Sequence, residues 1–181
     1  MENVLLDSAG IAAKMESLAD DLATALEQAG PPAELAIIGI KSRGDLLANR
    51  LIQLLSSRGL CDVEHGALDI TFYRDDLHRQ GGRKPLRITE LPDSLDGKLI
   101  VLVDDVLQTG RSVRAALDAL VDFGRPRAIR LAVLIDRGGR EFPIQADYVG
   151  MKVDVPDDAR VRLDLGEDVE AEQVVEWRDH A

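Results

Sequence analysis

The sequence predicts an α/β fold, a mostly parallel sheet flanked by helices. Three observations predict it. Short apolar runs such as "ELAIIGI" (34–40) and "LIVLV" (99–103) read as strands covered on both faces. Amphipathic segments with apolar residues three and four apart alternate with those runs. Polar loops containing glycine follow the strands, at the edge where such sheets bind ligands.

The elements follow in order. Ile11, Met15, Leu18, Leu22, Ala25 and Leu26 recur at helical spacing, with Asp7 or Ser8 as cap and "GPP" (30–32) as terminator. After the strand "ELAIIGI", the loop "KSRGD" (41–45) leads into a second helix, "LLANRLIQLLSSRG". "GALDITFY" (66–73) alternates as a strand does. A long polar stretch follows; a loop of that length, over about 73–92, is often a functional lid, and a short hairpin is the alternative. "LIVLVDD" is the next strand, and a helix with its stripe at Val113, Ala116, Leu117 and Leu120 comes after it. "RAIRLAVLID" and "ADYVG" are further strands, separated by the loop "RGGREFP". The tail from Met151 carries ten acidic and four basic residues; "RVRLDL" reads as a last strand and "EAEQVVEWR" as a short helix anchored by Trp177.

The 181 residues suit a single domain, residues 1–181. Aromatic residues make up 3%, so the core must be aliphatic. A formal net charge of −11 argues against broad, unspecific binding to nucleic acid or an anionic membrane. The one cysteine, Cys61, has no partner for an internal disulfide, which fits a cytoplasmic protein. No apolar stretch approaches the ~20 residues of a membrane span. The histidines His65, His78 and His180 are scattered and form no metal pattern.

The chemistry concentrates in "DDVLQTGRS" (104–112). Thr109, Gly110, Arg111 and Ser112 stand where a helix begins. Free N–H groups and the helix dipole favour an anion there. Gly110 permits close approach, and Thr109 and Ser112 supply hydroxyls. Asp104 and Asp105 stand just upstream, suited to sugar hydroxyls or, indirectly, to magnesium. A phosphorylated sugar satisfies both halves; a helix cap beside two exposed acids is the plainer alternative. The lysine of a Walker A loop is missing.

The apolar strand followed by "VDDVLQTGRS" resembles the phosphoribosyl-pyrophosphate (PRPP) signature of the type I phosphoribosyltransferases. "GIKSRG", "DITFYRDDL" and the run from Ala119 to Gly150 resemble one branch of that family, the pyrimidine-operon regulators with uracil phosphoribosyltransferase activity. The resemblance spans about Leu35 to Val153. It implies the type I fold with a small hood and a flexible lid. It also implies conversion of uracil and PRPP to UMP and pyrophosphate, with Mg2+ carried by PRPP and no direct protein ligand. By resemblance, Asp104 and Asp105 hold the ribose hydroxyls, and Val106, Leu107, Gln108, Thr109, Gly110, Arg111 and Ser112 wrap the 5-phosphate. Lys41, Ser42 and Arg43 meet the leaving group, in a loop that in this family often contains a cis peptide. Arg137 and Val161 lie toward the base, and Arg74 clamps charge from the lid. Asp104, Asp105, Arg43 and Arg74 are thus the expected catalytic set.

The same resemblance implies a homodimer or higher assembly and a leader-mRNA partner. The basic surface for RNA is reduced here. The first helix has Lys14 as its only basic residue against Glu16, Asp20, Asp21 and Glu27. Gly139 and Gln145 stand where basic or imidazole side chains are usual in RNA-binding members, although Arg140 remains. Gln108 also stands where the signature commonly has an aromatic residue. A sensor of UMP that binds RNA, with incidental catalysis, is the alternative to the enzyme. The residues alone also leave Arg137 and Arg140 open to pairing with acids of the tail.

Overall fold

The computed structural model describes residues 2–28, 34–73, 88–165 and 171–178. A central sheet and a smaller hood make up the fold. The sheet has five strands in the order β3-β2-β4-β5-β6, and every neighbouring pair is parallel. They are β2 (Leu35–Ile40), β3 (Val63–Leu68), β4 (Leu99–Leu107), β5 (Ala128–Asp136) and β6 (Tyr148–Lys152). Helices α1 (Ser8–Gln28) and α2 (Gly44–Ser57) cover one face and α3 (Arg111–Val121) the other.

Burial on both faces explains the unbroken apolar runs. Ile37, Val101 and Val103 join the core beneath α1 and α2, while Ile38, Ile100 and Leu102 join the core beneath α3. Neighbours in sequence thus face opposite layers, as the period of two requires. The expected α1 stripe is buried at Ile11, Met15, Leu18, Leu22 and Leu26. Asp7 caps the helix, its carboxylate accepting from the Gly10 N–H at 2.8 Å.

The hood is a three-stranded antiparallel sheet, β1-β8-β7, built from β1 (Glu2–Leu6), β7 (Ala159–Asp164) and β8 (Gln173–Arg178). It joins the two ends of the described chain, with Val4 opposite Val175 and Leu163 opposite Val174. Arg50 on α2 reaches the hood through a two-pronged ion pair with Glu172, which is 5% exposed.

Four expectations need correction. "EAEQVVEWR" contains no helix over Gln173–Arg178; the segment is the central hood strand, because pairing with both β1 and β7 outweighs the local helical preference of its glutamates. Trp177 therefore anchors a strand, stacked under the Arg162 guanidinium at 4.7 Å. The N-terminal strand β1 escaped the periodicity reading because five residues are too few to set a period. The strand expected at 66–73 begins at Val63 and stops at Leu68. There the Asp69 carboxylate takes the Thr71 N–H at 2.8 Å and turns the chain into a 3-10 helix, Thr71–Tyr73. Finally, β4 does not end at the two aspartates but runs on to Leu107, so the pair lies inside the strand and not at its end.

Candidate active site

Strand order locates the site. The connection from β2 passes through α2 to β3 on one side, and that from β4 passes through α3 to β5 on the other. β2 and β4 are adjacent, so their carboxyl ends flank the crevice where the winding reverses. The loops 41–43 and 108–110 emerge on either side of it.

Glycines bring these pieces together. A Cβ on Gly39 would lie 2.4 Å from the Asp45 nitrogen, and one on Gly44 would lie 2.4 Å from the Val103 carbonyl oxygen. Only hydrogen at those positions lets the start of α2 rest on β2 and on β4 beside Asp104. The Lys41–Ser42 peptide is cis, as the resemblance implies. Lys41 Nζ donates to the Ile88 carbonyl. The Arg43 guanidinium lies 3.8 Å from the Asp105 carboxylate.

Asp104 is 8% exposed and Asp105 is half-buried. Each carboxylate accepts the N–H of the next residue, Asp105 N at 2.9 Å and Val106 N at 2.8 Å. Those bonds hold the acids at fixed orientations at the floor of the crevice.

Gly110 opens α3 with φ +88°, a conformation that favours glycine. The Arg111 N–H bonds Thr109 Oγ1 at 3.3 Å. The Arg111 side chain turns outward to Glu141 and the Phe142 ring, so it is the backbone of Arg111 that belongs to the cradle. Leu107 is fully buried in the core and likewise offers only backbone. Val106 packs on the opposite core layer.

Arg137 is 6% exposed and points at the hood. It donates to the Ala159 carbonyl at 2.7 Å and the Pro156 carbonyl at 3.5 Å. Burial lowers its pKa against the opposing pull of Asp157 and Glu176. Arg140 pairs with Asp136 at 2.7 Å, so its partner comes from β5 and not from the tail. Val161 lies on β7, partly buried against the first core layer. Arg74, expected as a charge clamp, lies outside the described residues, as does all of 74–87. The segment's two flanks are fixed: the Tyr73 hydroxyl donates to Asp122 at 2.6 Å, and Glu90 pairs with Ala67.

Among the described residues, no three metal-binding side chains gather into a cage. Two carboxylates at the crevice floor suit Mg2+, which keeps water and substrate oxygens around it. Among the same residues, no helix is long and apolar enough to cross a membrane.

Comparison with known proteins decides the family. The phosphoribosyl transferase domain model matches residues 6–168. The chain is 52% identical over 142 residues to the bifunctional protein PyrR of Thermus aquaticus, covering 78% of each. It is 46% identical over 171 residues to PyrR of Pelotomaculum thermopropionicum, covering 94% of this chain and 93% of that one. The chain belongs to the PyrR branch of the phosphoribosyltransferases. The PyrR fold also matches more distant solved structures. The hypoxanthine phosphoribosyltransferase of Trypanosoma cruzi superposes with a TM-score of 0.72 at 21% identity, covering 98% of this chain and 97% of that one. A hypoxanthine-guanine phosphoribosyltransferase of Bacillus anthracis gives 0.64 at 20%, covering 83% of each chain. At such identities the likeness speaks for the fold.

Proposed function

We propose that this PyrR-family chain is a uracil phosphoribosyltransferase that converts uracil and PRPP to UMP and pyrophosphate. One observation carries the reading. An acid pair and a helix-start cradle share the end of one strand, β4, at the reversal point of the sheet. That arrangement grips a ribose and its phosphate together.

In the reaction the bond from the ribose anomeric carbon to pyrophosphate oxygen breaks, and the leaving group keeps the electron pair. Uracil N1 forms the new bond to that carbon and releases its proton. Positive character grows on the ribose ring beside Asp104 and Asp105, which hold its 2- and 3-hydroxyls. Negative charge grows on the departing pyrophosphate beside Lys41, Ser42 and Arg43. Val106 to Ser112 enclose the 5-phosphate. When bound with PRPP, Mg2+ would supply positive charge to offset that on the departing diphosphate. Arg137 and Val161 stand on the base side. The Arg137 Nε is a buried donor without a hydrogen-bond acceptor among the described residues, and a uracil carbonyl would satisfy it. Arg74 belongs to the same reading as a clamp from the lid. The assembly is a homodimer or larger, and the compartment is the cytoplasm.

The acids of α1 favour the enzyme over an RNA-binding sensor. Lys14 is the only cation of that helix, and Arg58, just after α2, is drawn onto Glu16 and Asp20. The test is nucleotide formation from PRPP, Mg2+ and uracil, with hypoxanthine, guanine and adenine in parallel. Uracil-dependent UMP is expected. Product with a purine alone would overturn the base assignment. UMP binding without turnover, together with tight binding of a pyrimidine leader hairpin at physiological salt, would make the chain a sensor.

A further inference from the structure

Arg140 makes more polar contacts around the phosphate loop than its place in a surface turn would suggest. Its Nη1 donates to the carbonyls of Gln108 at 2.8 Å, Gly138 at 3.2 Å and Leu107 at 3.3 Å. Nε donates to the Ile144 carbonyl at 2.9 Å, and Nη2 meets the Asp136 carboxylate at 2.7 Å. Gly138 and Gly139, at φ +70° and +68°, make the tight turn that brings the side chain back over β4.

The carbonyls it takes form a series. The Leu107 oxygen also accepts the Arg137 N–H at 3.1 Å, and the Thr109 oxygen accepts the N–H groups of Glu141 and Phe142, each at 3.0 Å. All three carbonyls from Leu107 to Thr109 are thus drawn to the loop 137–142. In a trans peptide unit the N–H points opposite to the C=O. The N–H groups of Gln108, Thr109 and Gly110 must then point away from that loop, toward the crevice. Three consecutive donors directed one way, at a helix start, form an anion nest.

We propose that Arg140 is a positioning residue for the 5-phosphate: by holding the Leu107 and Gln108 carbonyls outward, it aims the facing N–H groups of the cradle at the phosphate. Asp136 completes the device by fixing the guanidinium, and also accepts the Gly138 N–H at 3.0 Å. The assignment rests on the phosphoribosyl reading above. It gives this arginine, one of two in the loop after β5, a task inside the substrate site.

The experiment compares wild type, Arg140→Met and Arg140→Lys by calorimetric titration with PRPP, ribose 5-phosphate and pyrophosphate. Arg140→Met is expected to weaken ribose 5-phosphate and PRPP more than tenfold and to leave pyrophosphate within twofold. Arg140→Lys, which keeps a donor, is expected to recover part of the loss. Unchanged ribose 5-phosphate affinity in Arg140→Met would overturn the role, as would an equal loss for all three ligands, the mark of general loosening. If Arg140→Met does not fold, Arg140→Lys carries the same comparison between ribose 5-phosphate and pyrophosphate. Wild type that bound neither PRPP nor ribose 5-phosphate would overturn the phosphoribosyl reading itself.

Discussion

Two loops border the crevice, and they are held in different ways. The loop 108–110 is stapled from behind, with the carbonyls of Leu107, Gln108 and Thr109 all engaged by the segment 137–142. The loop 41–43 is held by backbone bonds at its two ends, Lys41 N–H to the Leu68 carbonyl at 2.9 Å and Leu47 N–H to the Arg43 carbonyl at 3.1 Å. Its cationic side chains are less confined: Lys41 reaches the Ile88 carbonyl, and Arg43 stands 3.8 Å from Asp105 at 42% side-chain exposure. A pre-formed nest costs little reorganisation when it binds, so it suits the phosphate that stays with the ribose throughout. A loop with re-orientable cations suits the group that must arrive, take up charge and leave. Under the proposed reaction, side-chain freedom in this site follows the fate of each phosphate.

The sharpest way to break that comparison is to remove what lies between the loops. Asp104→Asn with Asp105→Asn should lower turnover by more than about 100-fold. The shapes are conserved, so the melting temperature should stay within a few degrees. Wild-type rates in the double variant would remove the ribose assignment. Next in size, Arg43→Ala should weaken pyrophosphate by about tenfold, the loss of one charge-assisted contact. Ribose 5-phosphate affinity should not follow it. Parallel losses for both ligands would erase the distinction between the loops.

A smaller effect concerns the hood. Arg50→Met leaves the Glu172 carboxylate, 5% exposed, without its cationic partner. Because Arg50 is itself about a third exposed, the cost should be on the order of 2 kcal/mol and not the larger cost of a fully buried pair. Denaturant unfolding measures it, and an unchanged midpoint would mean that the clasp does not hold the hood.

The smallest effect is in acid. Burial pushes the Asp136 carboxyl upward, but its Arg140 hydrogen bond, the Gly138 N–H and the nearby Arg140 and Lys152 charges outweigh burial and hold its pKa below the usual carboxylate value. A group depressed on folding stabilises the protein above its unfolded pKa, and that contribution is lost as the pH falls through the folded value. Asp136→Asn should therefore be less stable than wild type at neutral pH, with the gap closing in acid. A gap of constant size would show that the staple does not depend on that charge.

The sheet could be read from the residues because parallel strands are buried on both sides and write themselves as apolar runs. The hood could not. Val174 and Val175 become strand residues through pairing with β1 and β7, separated from one of them by almost the whole chain. Asp104, Asp105 and Gly110 announced themselves by type and spacing. The contacts of Arg140 did not, because they depend on which carbonyls it reaches, and a sequence does not print carbonyl directions. The Arg137 bonds to the Ala159 and Pro156 carbonyls were not legible either, because they join residues distant in sequence.

The most direct measurement is an amide NMR titration of the wild-type protein with UMP and, separately, with uridine. The N–H resonances of Gln108, Thr109 and Gly110 should move strongly downfield with UMP, as donors to a phosphate do, and remain nearly in place with uridine. UMP binding that left those three amides unmoved would contradict the account, because the 5-phosphate would then lie somewhere other than the stapled loop.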